Sequence, residues 1–228
     1  MYSHDDKFIY VHIPKSAGTF IKHYLLSNIE EDYKSNQNQQ DYDSQYRTTC
    51  ERALNAVVNE VPDWREYFKF TIVRNPFDRV VSMFAYIGGW KYDYFIKNNI
   101  NSPVMEHVEV FRRFYLNDDF DGFLVEAYEN ERIRKFHIGY YDNYVDRLSV
   151  HGKVAIDKFY KMEEMDSCLK DLQQRFGFSS DKAFNDWRQN SSAEYRKRCH
   201  YSKYYSDFAK DLVSDHFKRD LEYFGYEF

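Results

Sequence analysis

Phe8-Ile9-Tyr10-Val11-His12-Ile13-Pro14-Lys15-Ser16-Ala17-Gly18-Thr19-Phe20-Ile21-Lys22-His23-Tyr24-Leu25-Leu26 is the stretch that decides the architecture. The run from Phe8 to Ile13 is apolar and β-branched, as in a strand buried on both faces. Pro14 has no N–H to give a ladder and stops it. Small and polar residues follow, after which Phe20 and Tyr24, with Ile21 and Leu25 one position over, recur at helical spacing. The order is strand, tight loop, helix.

Further along, Phe68-Lys69-Phe70-Thr71-Ile72-Val73 is a second buried-strand candidate. The turn Arg74-Asn75-Pro76-Phe77-Asp78 then carries helix-start chemistry. Asn75 can cap, Pro76 suits the first helical position and Asp78 favours the positive end of the dipole. Val154-Ala155-Ile156-Asp157-Lys158-Phe159-Tyr160 predicts a third strand. Helical patterns cover residues 79–84, 104–134 with a turn at 117–119, 163–176 ending at Gly177, and 206–224. The last of these shows Phe208, Leu212, Phe217, Leu221 and Phe224 on one side. A shorter helix is expected over 51–59, before Pro62, and a polar surface loop over 30–44. Strands alternating with helices predict an α/β fold of three layers, a central parallel sheet flanked by helices, in a single domain spanning 1–228.

The 228 residues include 22 Tyr and 20 Phe but only 8 Gly and 4 Pro, which excludes a low-complexity or disordered chain. A formal charge of −5 argues against a general nucleic-acid binder, yet leaves room for a small anion held by a few placed cations. Cys50, Cys168 and Cys199 share no metal-ligand spacing and make no disulfide framework, so reduced thiols are expected. No apolar run reaches the ~20 residues a bilayer span needs, and the polar start from Met1 lacks a targeting core. A cytoplasmic protein without a membrane span is the corresponding expectation.

A loop between a strand end and a helix N-terminus gathers backbone N–H groups and the positive end of a helix dipole, which suits a phosphate. Here Lys15 adds a full charge and Thr19 a hydroxyl. The loop is not the nucleoside-triphosphate motif, because Lys15 precedes Gly18 and Phe20 follows Gly18-Thr19. At the second strand end stands Arg74 rather than a magnesium-binding Asp, which disfavours an ATP-dependent kinase.

His12-Ile13-Pro14-Lys15-Ser16-Ala17-Gly18-Thr19-Phe20 resembles the 5′-phosphosulfate loop of the sulfotransferase family that includes the carbohydrate O-sulfotransferases. The segment from Phe70 to Ser82 is similar to that family's 3′-phosphate segment, Asp157 to Glu163 to its last core strand, and the run from Tyr204 to Phe228 to its closing helix and tail. The resemblance implies a P-loop-like sulfotransferase fold. It also implies transfer of a sulfuryl group from 3′-phosphoadenosine-5′-phosphosulfate (PAPS) to an acceptor hydroxyl, with no metal, leaving 3′-phosphoadenosine-5′-phosphate (PAP). A saccharide is the acceptor expected.

The same resemblance implies the residue roles. Lys15 neutralises the leaving phosphate and is catalytic. Ser16, Ala17, Gly18, Thr19 and Phe20 hold the 5′-phosphate through their amides, and Arg74 and Ser82 hold the 3′-phosphate. Ser192, in Asn190-Ser191-Ser192, belongs to what resembles a third donor-side loop. Family members often carry a histidine general base after the first helix. Here the corresponding register holds Arg47-Thr48-Thr49. The base is therefore sought among His107, Glu106, His137 and Glu163, with His107 carried forward, while His12 reads as a packed residue beside the loop. Without a base, the chain is a catalytically inactive nucleotide-binding module of the same fold. The cluster Arg196, Lys197, Arg198, His200 and Lys203 reads as a solvated helix face or as a rim for the nucleotide or an acidic acceptor. Tyr86, Trp90, Tyr92 and Tyr94 are candidates to stack on sugar rings.

Overall fold

A computed structural model of the chain describes residues 1–29, 53–102, 104–130, 142–179, 193–197 and 199–228. The loop expected over 30–44, the start of the helix expected over 51–59, Cys50, the Arg47-Thr48-Thr49 register, His137, Arg198 and Ser192 lie outside the described residues. The chain forms two compact units, Met1–Arg74 with Tyr144–Arg188, and Asn75–Asn143 with Gln189–Phe228.

The first unit is built on a four-stranded sheet. In chain order its strands are β1 (Tyr2–Ser3), β2 (Phe8–Val11), β3 (Phe68–Val73) and, after the hairpin β4 (Ser149–Val150) and β5 (Lys153–Val154), β6 (Lys158–Lys161). The sheet order is β1-β2-β3-β6. β2, β3 and β6 run parallel, as expected, whereas β1 adds an antiparallel edge that its two-residue length left unmarked in the sequence. Every residue of β2 is buried, so both faces of the sheet are covered. On one face Phe8, Tyr10, Phe70, Ile72 and Tyr160 form a core with Phe20, Ile21, Tyr24 and Leu25 of α1 (Gly18–Ile29). The helix Met165–Phe176 completes this core with Met165, Cys168 and Leu172, and ends at Gly177, whose φ of 70° is the left-handed cap expected there.

The first strand ends two residues earlier than its composition predicts, because His12 leaves the ladder after the pair Val11–Thr71. The third core strand is likewise shifted, to Lys158–Lys161, and Val154 belongs to the hairpin instead. The hairpin turns through His151 and Gly152, both at positive φ, the two-residue geometry that matches strand twist. Between hairpin and strand Asp157 acts as a clamp. Its N–H donates to Lys69 O at 2.8 Å, and its carboxylate accepts from Lys69 N and Lys69 Nζ, each at 2.7 Å. Buried Lys69 is thereby neutralised inside the sheet.

The second unit is helical in its described residues. After α1 and α2 (Leu54–Val58), the helices in chain order are α3 (Pro76–Phe84), a π-helical segment Ala85–Lys91, α4 (Tyr92–Lys97), α5 (Met105–Leu116) and α6 (Phe120–Glu129). Beyond α7 (Tyr144–Arg147) and α8, the Met165–Phe176 helix of the first unit, come α9 (Asp207–His216) and α10 (Lys218–Phe224). Asn75 Oδ1 caps α3 by accepting from Phe77 N at 3.0 Å, with Pro76 at the first helical position. Phe77, Val81, Phe84, Phe111, Phe123, Val213 and Phe217 share one core. The single helix expected over 206–224 is two helices broken at Phe217. Of the face expected there, Phe217 and Phe224 are buried and Leu212 and Leu221 pack against the core, while Phe208 is 51% exposed and Ala209 and Val213 are buried beside it.

Candidate active site

The chain leaves β2 at Val11 and β3 at Val73, and these strands are parallel neighbours. Their carboxyl ends therefore open on the same edge of the sheet, the edge where open α/β sheets bind ligands. Thr71 Oγ1 donates to Val11 O at 2.7 Å and ties the two ends together.

From the first end the chain passes through Pro14 into a turn with Lys15 at φ 67° and Ala17 at φ 56°, while Ser16 between them is not left-handed. Alternating handedness of this kind aims successive N–H groups into one concavity, a nest for an anion. Ile21 N donates to Ala17 O at 3.1 Å, closing the first turn of α1, so the helix N-terminus faces the same loop. Ser16 is fully buried, and its Oγ has no hydrogen-bond partner among the described residues. A buried hydroxyl left in this way is costly unless a ligand oxygen completes it. Thr19 is exposed at the mouth of the turn, and Phe20 is 7% exposed in the α1 core.

Gly18 has a steric reason. A Cβ there would come 1.7 Å from His12 Nε2, so the imidazole fills the space beneath the helix start. Burial, and secondarily the Arg147 charge with those of the chain's amino group, Lys22 and Lys15, pull the His12 pKa down to about 3, although an edge of the ring stays accessible. His12 is therefore a neutral wedge and adds no competing charge to the loop.

Arg74 is the residue just past β3 and is 4% exposed. Its Nη1 donates to Lys15 O at 3.0 Å, so the turns around Lys15 and Arg74 are in direct contact. Its own carbonyl accepts from Tyr144 Oη at 2.8 Å, and Tyr144 is fully buried. The sequence offered no signal for Tyr144, which stands in a short helix far along the chain from both phosphate motifs.

The other residues named from sequence stand as follows. Ser82 is buried in α3, in the second unit. His107, the histidine carried as base, is 4% exposed in α5 of the second unit, and its neighbour Glu106 is exposed. Glu163 is exposed just after β6, whose last residue Lys161 pairs with Val73, so it stands at the same sheet edge as Lys15 and Arg74. The described members of the basic cluster, Arg196, Lys197, His200 and Lys203, do not lie on one helix face. Arg196 pairs with Asp78 at 2.6 Å, Lys197 pairs with Asp118, and His200 caps a short 3₁₀ turn through Ser202. Tyr86, Trp90 and Tyr94 stack on one another with centroids 5.2 and 4.9 Å apart, and Tyr92 lies under the Arg112 guanidinium at 4.8 Å. Cys168 and Cys199 are free thiols. Among the described residues no group of His, Cys, Asp and Glu is arranged to hold a metal, and no helix is long and apolar enough to cross a membrane.

A mixed sheet with parallel central strands, flanked by helices and opening at its carboxyl edge on a nest of N–H groups beside a lysine and an arginine, suits an α/β protein that grips a phosphorylated ligand. A family model described as "Sulfotransferase family" matches residues 1–227, and the chain belongs to that family, whose reaction is the transfer of a sulfuryl group. No curated protein and no solved structure matches the chain.

Proposed function

We propose that the chain is a PAPS-dependent O-sulfotransferase acting as one domain over 1–228, with a hydroxyl of a saccharide as acceptor. The observation that carries this reading is the meeting of the two phosphate turns. The left-handed turn at Lys15 and the guanidinium of Arg74 touch through the 3.0 Å bond to Lys15 O. One doubly phosphorylated adenosine needs its two anion sites in reach of each other. The matching of a single family model over 1–227 supports the one-domain reading, and the likeness of the phosphate motifs to carbohydrate O-sulfotransferases supports the acceptor class.

PAPS, when bound, supplies the activated sulfuryl group. The amides of Ala17 to Phe20 and the Ser16 and Thr19 hydroxyls offer donors to the 5′-phosphate, which fits the buried Ser16 Oγ; the Ser16 amide, assigned the same role by the resemblance, instead donates to Ile13 O. Lys15 neutralises the charge that grows on the phosphate oxygen as its bond to sulfur breaks. Arg74 offers a planar fork to the 3′-phosphate. Ser82 keeps the 3′-phosphate role the resemblance implies. For the base, the placement at the Lys15–Arg74 edge favours Glu163 over buried His107.

The test is calorimetric titration with PAP. Binding that weakens clearly when the 3′-phosphate is removed is expected, and indifference to that phosphate overturns the reading. Lys15→Ala is expected to retain part of the PAP affinity while turnover falls at least ~100-fold, the cost of losing a donor aimed at developing charge. A near-normal rate would remove Lys15 from the chemistry. PAP binding with no transfer across a broad acceptor screen would instead favour the inactive module.

A further inference from the structure

The turn that holds Lys15 is strained. A lysine at φ 67° occupies the region that Cβ sterics disfavour, and Ala17 at φ 56° does so again two residues on. Such a backbone persists only where its surroundings hold it. The peptide joining Lys15 to Ser16 is held at both ends. Its N–H, on Ser16, donates to Ile13 O at 3.3 Å, and its carbonyl, on Lys15, accepts from Arg74 Nη1 at 3.0 Å. Because the peptide is planar, fixing its oxygen and its hydrogen fixes the plane, and with it ψ of Lys15 and φ of Ser16. Those two angles lie between the left-handed residues Lys15 and Ala17 and so help to set the shape of the nest.

Arg74 is itself anchored. Tyr144 Oη donates to the Arg74 carbonyl at 2.8 Å in a fully buried position, and Arg74 follows directly on β3. A chain of contacts therefore runs from Tyr144 through Arg74 to the peptide that shapes the donor loop.

We propose that Arg74 and Tyr144 are positioning residues for the 5′-phosphosulfate loop: the Arg74 guanidinium fixes the Lys15–Ser16 peptide and with it the course of the amides that follow toward the donor, apart from any charge it gives the 3′-phosphate, and Tyr144 holds Arg74. The proposal rests on the reading that this loop binds the 5′-phosphosulfate of the donor. A guanidinium has five N–H donors on a rigid plane, so one edge can serve a carbonyl while another faces a phosphate. Occupancy of the 3′ site and the shape of the 5′ site would then depend on one side chain.

The experiment titrates folded wild type, Arg74→Met, Tyr144→Phe and the double variant with two probes, PAP and adenosine 5′-phosphosulfate, which lacks the 3′-phosphate. Thermal midpoints of the same samples are recorded. Arg74→Met is expected to weaken adenosine 5′-phosphosulfate roughly tenfold, as for one lost charged hydrogen bond, and PAP more than that. Tyr144→Phe, nearly isosteric, is expected to weaken both probes by a similar factor of about three to ten, since the bond it loses is neutral. In the Arg74→Met background it should change neither affinity further, because its effect passes through the lost guanidinium. An unchanged affinity for adenosine 5′-phosphosulfate in Arg74→Met, with PAP alone weakened, makes Arg74 a 3′-phosphate ligand only and overturns the proposal. Tyr144→Phe that lowers the thermal midpoint but neither affinity, or that adds fully to Arg74→Met, overturns the part given to Tyr144. Wild type that binds neither probe would refute the donor assignment itself, a result distinct from all of these.

Discussion

At the scale of single residues the loop shows how much is spent on its shape. Two non-glycine residues in left-handed backbone cost about 1–2 kcal/mol each, and Ser16 buries a hydroxyl with no described partner. At Gly18 any side chain collides, since a Cβ would lie 1.7 Å from His12 Nε2. Gly18→Ala should therefore shift the helix start and destabilise the fold by about 1–3 kcal/mol, the usual range for overpacking. The paired change His12→Ala should recover part of that loss in urea unfolding, and failure of the pair to recover anything would mean that the imidazole is not the obstacle. His12 also makes an acid-stability prediction. Its pKa is about 3 when folded against an ordinary 6.5, so below pH 6.5 the unfolded chain binds a proton that the folded chain refuses. Stability tied to His12 is complete above pH 6.5 and is lost progressively as pH falls towards 3. Relative to His12→Gln, the wild type should lose up to about 1.4 kcal/mol per pH unit across that window. Parallel unfolding curves for the two proteins from pH 6.5 to 4 would contradict it.

At the scale of elements, the start of α3 joins capping to chain closure. Asn75 Oδ1 caps the helix, while Asn75 Nδ2 donates to Glu227 O at 2.8 Å and to Tyr201 Oη at 3.3 Å. Asn75→Ala should cost about 1–2 kcal/mol through the lost cap and the released tail. Asn75→Asp keeps the cap oxygen and removes the amide donors, so it should recover only the cap's share. Equal urea midpoints for the two variants would show that the cap contributes nothing. The π-helical segment behind α3 is held from α5, where Arg112 Nη1 donates to Gly88 O at 3.0 Å and Arg112 Nη2 pairs with Asp93 at 3.2 Å. Gly88 and Gly89 meet Tyr115 and Tyr195 so closely that a Cβ would come within 2.6 and 2.5 Å of them, which explains small residues in an otherwise aromatic stretch. Tyr86, Trp90 and Tyr94, which the sequence offered as sugar platforms, use their faces on one another.

At the scale of the whole molecule, a chain of formal charge −5 brings Lys15 and Arg74 together at one edge of one sheet. Lys15, Arg74 and a helix N-terminus supply positive potential there, and the proposed PAPS-dependent reaction needs no metal. Turnover should accordingly be unchanged by EDTA, while PAP affinity should fall as salt rises, because part of the loop is open to solvent. A loss of turnover on chelation that magnesium restores would return the kinase reading to consideration.

The strand–loop–helix order, the second strand with its Arg74 turn, the Asn75 cap and the Gly177 cap were all legible from the chain. Each depends on neighbours within a few residues: apolar runs, a proline, a side chain that reaches its own backbone. The break at Phe217, the exposure of Phe208 and the antiparallel edge strand were not, because each is decided by what the element packs on. The same division holds at the site. Local sequence marked the two turns, around Lys15 and Arg74, that the proposal assigns to phosphates, since loop chemistry is written in consecutive residues. Only tertiary structure decided that Arg74 bonds Lys15 O, that His12 fills the space under Gly18 and that Tyr144 anchors Arg74. Those contacts join residues distant in the chain, and they exist only once parallel pairing of β2 with β3 has brought two strand ends to one edge.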